Sequence, residues 1–142
     1  MFASTYPSRH ASSAQRGGLY QQVHVETRLS GANPHQLVAM LFDGFVEAVA
    51  QARGALISGD AAVKGHAIGR AVRIIDEGLR AGLDLQGGGP LARDLDDLYR
   101  YLTLRLTLAN LHNDDAPLEE CQRLVRPLRD AWMSIADQPA AR

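Results

Sequence analysis

From Asn33 onward, apolar residues recur every three or four positions, the period of a helix that buries one face. Before that point, Tyr20 to Leu29 forms a short amphipathic stretch with Tyr20, Val23 and Thr27 in register, broken by Ser30-Gly31-Ala32. Asn33-Pro34-His35-Gln36 then reads as a helix start. Asn33 is the N-cap, Pro34 takes the first position where a missing N–H costs nothing, and Gln36 can reach back as in a capping box. The first long helix carries Leu37, Leu41, Phe45, Ala48, Ala52 and Leu56 on one stripe, with Val38, Phe42 and Val49 beside it. It should stop at Ser58-Gly59. Asp60 can cap a second helix whose stripe is Val63, Ala67, Ile68, Ala71, Ile74, Ile75, Gly78, Leu79 and Gly82. Gln86-Gly87-Gly88-Gly89-Pro90 breaks it. Pro90 opens a third helix running to about Asn113. The fourth carries Leu118, Cys121, Val125, Leu128, Trp132 and Ile135, a bundle seam. Pro127 lies inside that seam, and the pattern continuing through it predicts a kink rather than two helices.

Four long helices on short connections predict an all-α protein, an antiparallel up-down-up-down bundle, spanning 33–137. Residues 19–30 would form a short N-terminal helical cap. Residues 1–18 are Ser-, Ala- and Gly-rich, lack any acid and have few large apolar groups; they and residues 138–142 read as disordered. Nothing in 1–18 resembles the apolar core of a secretory signal. The glycines within the helical stretches (Gly44, Gly54, Gly65, Gly69, Gly78, Gly82) each cost about 1 kcal/mol relative to alanine, and are read as points of close helix approach.

Charge and composition narrow the function. The 142 residues hold 15 Lys+Arg against 16 Asp+Glu, a net charge of −1, which speaks against nucleic-acid binding or an anionic membrane surface as a target. The longest apolar run, Leu37 to Phe42, falls far short of the about 20 residues of a membrane span. One cysteine cannot form an internal disulfide, and a cytosolic location follows as the expectation. A carboxylate-bridged metal pair in a bundle would need Glu-x-x-His motifs, and none exists; His35, His66 and His112 share no helical spacing. Asp76, Asp96 and Glu119 each precede an arginine (Arg80, Arg100, Arg123) by four residues, the arrangement of surface ion pairs. Asp43 beside the first stripe reads as a structural hydrogen-bond acceptor. Cys121, on the seam, reads as an apolar filler. Gly87-Gly88-Gly89 is followed by Pro90-Leu91 rather than the Lys-Ser/Thr of a phosphate-binding loop. No catalytic, metal or cofactor site emerges, so the chain reads as a non-enzyme.

The third helix has apolar surface to spare. Leu91, Leu95, Leu98, Leu102, Leu106 and Ala109 form one stripe, and Tyr101, Leu104, Leu108 and Leu111 a second, with Tyr99 between. A bundle helix buries about three residues in seven. Either the surplus is a broad core stripe covered by the Tyr20 segment, or it belongs to a groove that accepts an amphipathic helix from a partner.

The same residues carry a family resemblance. Tyr20-x-x-Val23-x-x-Glu26-Thr27, Asn33-Pro34-His35-Gln36-Leu37-Val38-x-Met40-Leu41-Phe42-Asp43-Gly44, Ile74-Ile75-Asp76-x-Gly78-Leu79-x-Ala81-Gly82-Leu83-Asp84, Leu98-Tyr99-x-Tyr101, Ala109-Asn110-Leu111-x-Asn113-Asp114 and Ala131-Trp132 resemble, in order, the flagellin-specific secretion chaperones of the FliS family. The resemblance implies a non-enzymatic four-helix bundle in the cytosol. It implies binding, as a monomer and one-to-one, to the disordered C-terminal segment of flagellin, which prevents premature polymerisation and supports delivery to the export gate of the flagellar type III secretion apparatus. The candidate partner-binding residues are Tyr20 and Val23 of the cap, Leu37 and Leu41, then Ile75, Leu79 and Leu83, and Tyr99, Tyr101 and Leu102. The competing expectation is a bundle that sequesters another secreted or regulatory protein.

Overall fold

The structure, a computed structural model, describes residues 33–136. The expected tail and cap, with Tyr20 and Val23, and the stretch from residue 137 onward lie outside those residues. Within them the chain is helical, with no strand: α1 (Pro34–Ser58), α2 (Ala61–Arg73) continuing into a π-helical segment (Ile74–Leu79), α3 (Gly89–His112) and α4 (Asp115–Ala136).

Local chemistry sets the boundaries. The Asn33 side chain accepts from the Gln36 N–H at 2.9 Å, and the Gln36 side chain accepts from the Asn33 N–H at 2.8 Å, which satisfies two donors a helix start leaves open. Gly59 ends α1 at φ 78, in the left-handed region. The Asp60 carboxylate then accepts from the Val63 N–H at 3.0 Å to begin α2. In the connection to α3, the Asp84 side chain accepts from the Gly87 N–H at 2.8 Å, and its carbonyl accepts from the Gly88 N–H at 2.8 Å. A Cβ on Gly88 would lie 2.5 Å from that carbonyl oxygen, so this turn needs glycine.

Cross-helix pairs fix the topology. Leu41 meets Gly78 and Gly44 meets Ile74, so α1 and α2 run antiparallel. Arg80 pairs with Asp96, while Lys64 reaches Asn113; Tyr101 and Arg105 meet Glu120; Arg53 pairs with Asp115 and Trp132 with His35. Each neighbouring pair is therefore antiparallel, and the chain is an up-down-up-down bundle. Phe45, Val49, Ile75, Leu102, Leu106, Leu118, Cys121 and Val125 fill its centre and are fully buried.

The second helix departs from the regular stripe. Over Ile74–Leu79 it widens to π geometry, with the Arg80 N–H donating to the Ile75 carbonyl at 2.8 Å. One added residue turns everything after it by about 100°, and Ile74, Ile75, Gly78 and Leu79 all stay buried. Gly78 sits where its backbone presses on α1, since a Cβ there would lie 3.0 Å from Leu41 Cδ2. Val63 and Gly82, at the two ends of the expected stripe, are exposed instead. The close-approach reading of the glycines holds at Gly44 and Gly78. An added Cβ at Gly54, Gly65 or Gly69 would meet nothing within 4 Å. α4 runs as one helix through Pro127, which lies on its exposed side together with Arg123, so the carbonyl deprived of a donor can be hydrated.

Candidate functional site

The pairings of Leu41 with Gly78 and of Arg80 with Asp96 place the end of α2 at one end of the bundle. There the first turn of α1, the first turns of α3 and the last turns of α4 project past it. The result is an apolar cleft of about 310 Å³. Leu37, Val38, Leu41 and Phe42 come from α1; Gly78, Leu79, Gly82 and Leu83 from the end of the second helix; Leu91, Leu95 and Tyr99 from α3; Leu128, Ala131, Trp132 and Ile135 from α4. No charged side chain lines it. Its floor (Leu37, Leu41, Leu79, Tyr99) is buried, whereas Leu91 is 67% and Ile135 55% exposed on the rim. A cleft of this size with apolar walls suits apolar side chains rather than a polar metabolite, whose hydrogen-bonding groups it would leave unmatched.

Its walls are held from outside. The Trp132 ring stacks on His35 with centroids 4.5 Å apart and planes within 7°, and its indole N–H donates to the His35 carbonyl at 2.8 Å, which locks the end of α4 to the start of α1. Arg80 Nε donates to Asp96 at 2.8 Å and Arg100 Nε to the other carboxylate oxygen at 2.9 Å, tying the end of the second helix to α3. These bonds, that from Arg80 first, hold the Asp96 carboxyl below its ordinary value, against the opposing effect of burial. Burial pushes the Tyr99 phenol up to about 12, so it stays neutral in the cleft at ordinary pH.

Of the residues expected to bind a partner, Leu37, Leu41, Leu79, Leu83 and Tyr99 converge on this cleft. Ile75 and Leu102 do not: both are fully buried in the bundle centre. Tyr101 faces another way, its hydroxyl donating to Glu120 at 2.7 Å. Tyr20 and Val23 lie outside the described residues. The cleft also uses Leu91, from the α3 stripe left open between core and groove, and Leu128, Trp132 and Ile135 from the α4 stripe expected as a bundle seam. Their signal was present in the spacing. The spacing carried the second stripe on to Gly82, whereas the helix ends at Leu79, and beyond that end the seam has no fourth helix to face.

The second α3 stripe remains outside, with Leu104 and Leu111 exposed and Leu108 half-buried. The other singled-out groups are structural. Asp43 accepts from Arg129 across α1 and α4, and the Asp76–Arg80, Asp96–Arg100 and Glu119–Arg123 pairs form as spaced. Cys121 is fully buried, and burial raises its thiol to about 12, which leaves it unreactive. Among the described residues no group of His, Cys, Asp or Glu could hold a metal ion, and no helix is long and apolar enough to cross a membrane.

Comparison with known proteins agrees with this architecture. The family model described as "Flagellar protein FliS" matches residues 16–139. The chain is 46% identical over 117 residues to the flagellar secretion chaperone FliS of Salmonella typhimurium, covering 82% of this chain and 87% of that protein. It is 44% identical over 117 residues to the flagellar secretion chaperone FliSB of Pseudomonas aeruginosa, covering 82% and 92%. The similarity extends to the flagellar secretion chaperone FliS of Bacillus subtilis, 32% identical over 113 residues and 80% of each chain.

Proposed function

Because the chain belongs to the FliS family of flagellar secretion chaperones, a non-enzymatic role, we propose that it binds the C-terminal segment of flagellin in the cytoplasm. Bound there, the segment is kept from premature polymerisation until it is delivered to the export gate of the flagellar secretion apparatus. The observation that carries this reading is the cleft: a trough of about 310 Å³ with mostly apolar walls and no charged lining residue at the end of an otherwise charge-laced bundle. An amphipathic segment without a partner exposes an apolar face that drives self-association. Seating that face in the cleft removes it from water while the guest folds against the chaperone. Ordering the guest consumes about 2–5 kcal/mol of the gross interaction, which leaves a complex that sequesters yet still releases.

Leu37, Leu41, Leu79, Leu83 and Tyr99 are the proposed contacts within the described residues, and Tyr20 and Val23 enter the proposal from sequence alone, as a segment that exchanges with the guest. The complex is proposed as one-to-one. Calorimetry of the full chain against purified flagellin should give saturable binding with a negative heat-capacity change, and flagellin lacking its C-terminal segment should give none. Leu83→Asp, which charges a half-buried wall, should weaken binding at least about tenfold. Equal binding of intact and truncated flagellin would refute the reading.

A further inference from the structure

We propose that Gly82 sets which guest side chain the cleft accepts: the backbone is left bare there so that one bulky apolar side chain of the bound segment seats against it. The inference rests on the reading above and concerns how that guest is recognised.

Gly82 lines the cleft and is exposed, whereas large side chains such as Leu37, Leu83, Leu91 and Trp132 form the walls around it. The fold does not ask for glycine at this position. Among the described residues the positive-φ glycines are Gly59 and Gly89, so Gly82 is under no left-handed constraint. A Cβ added to it would meet only the Gly78 and Leu79 carbonyl oxygens, at 3.5 and 3.8 Å, which is ordinary contact. Gly78, one turn earlier, is different, because a Cβ there presses on Leu41 at 3.0 Å; that glycine serves packing. At Gly82 alanine would fit and would restrict the unfolded chain more, so the missing side chain has no structural return. What its absence supplies is room at an apolar wall. The side chains around that room are apolar, so it suits a leucine-, methionine- or phenylalanine-sized side chain.

The test compares the full-length chain with Gly82→Ala, Gly82→Leu and the control Gly54→Leu, which places the same side chain on α1 where nothing lies within 4 Å. Thermal unfolding should show all of them folded with midpoints near that of the unaltered chain. Calorimetry against purified flagellin should show affinity falling in the order Gly, Ala, Leu at position 82, the leucine variant weakened about tenfold or more, and Gly54→Leu unchanged. The alanine variant, which the backbone accommodates, carries the same trend should the leucine variant fold poorly. In C-terminal flagellin peptides with each large apolar residue shortened to alanine in turn, one position should weaken binding to the unaltered chain yet restore binding to Gly82→Leu. Affinities within about twofold across the series at position 82, with the unaltered chain still binding, overturn the role of Gly82 and leave the flagellin reading standing. Absence of binding by the unaltered chain removes both.

Discussion

Lys64 is the chain's only lysine, and the fold buries it. At 7% exposure its ammonium donates to the Asn110 carbonyl at 3.1 Å and to the Asn113 side chain. Those acceptors lie at the C-terminus of α3, where carbonyls lack intrahelical donors and the helix dipole favours a cation. Asn113 does two things at once, since it also takes the left-handed backbone (φ 52) that ends the helix. The two roles separate by substitution. Lys64→Met keeps the stem and should lower the free energy of unfolding by about 1–3 kcal/mol, read from denaturant midpoints. Asn113→Gly keeps the turn and removes only the acceptor, and should cost less than Asn113→Ala, which also strains the backbone. If glycine and alanine at 113 were equally costly, backbone conformation would not matter there.

Helix boundaries were readable from sequence because each is decided within a few residues. The Asn33–Gln36 box, the Gly59 stop and the Asp60 cap each involve bonds between positions no more than a few apart. Asn33→Ala should therefore cost about 1 kcal/mol in chemical unfolding, and Gln36→Ala less, because each change removes one bond of the box but alanine at the helical position 36 regains some helix propensity. The π-helical widening of Ile74–Leu79 was not readable. It coincides with the close approach of Gly78 to Leu41, two positions that only the tertiary fold brings together. The site shows the same division. Periodicity identified Leu79, Leu83 and Tyr99 as apolar and helical, but Ile75 and Leu79, four apart, share a helix face, as do Tyr99 and Leu102, three apart. Position along the bundle, which spacing does not carry, decides whether a residue lines the cleft, as Leu79 and Tyr99 do, or fills the centre, as Ile75 and Leu102 do. Trp132 packs half-buried against the core as its seam spacing predicts and also lines the cleft, because the second helix ends at Leu79 rather than running on through Gly82.

Across the whole molecule, charge holds the bundle's sides and leaves its cleft end apolar. Arg53 grips Asp115 with two bonds of 2.7 and 2.9 Å and also reaches Gln122, joining α1 to α4; Arg80–Asp96 joins the second helix to α3, and Arg105–Glu120 joins α3 to α4. Stability should therefore fall at both extremes of pH, for different reasons. The Asp96 carboxyl sits below its ordinary value, chiefly through the Arg80 bond, and that of Glu120 below its own, chiefly through the Tyr101 hydroxyl. The unfolded chain thus takes up these protons at higher pH than the folded one. The contribution is complete above the ordinary carboxylate range and is lost as pH drops through the lowered values. Tyr99 and Cys121 act in the opposite sense. Burial raises the phenol from 10 and the thiol from 9 to about 12, so their contribution is complete below pH 9 and disappears as pH climbs toward 12. Thermal unfolding across pH should trace a plateau with two falling limbs. Asp96→Asn should lower the plateau and flatten the acid limb alone, and Tyr99→Phe should flatten the alkaline limb alone. An acid limb of unchanged slope in Asp96→Asn would mean that the link between the second helix and α3 does not draw on the charge of Asp96.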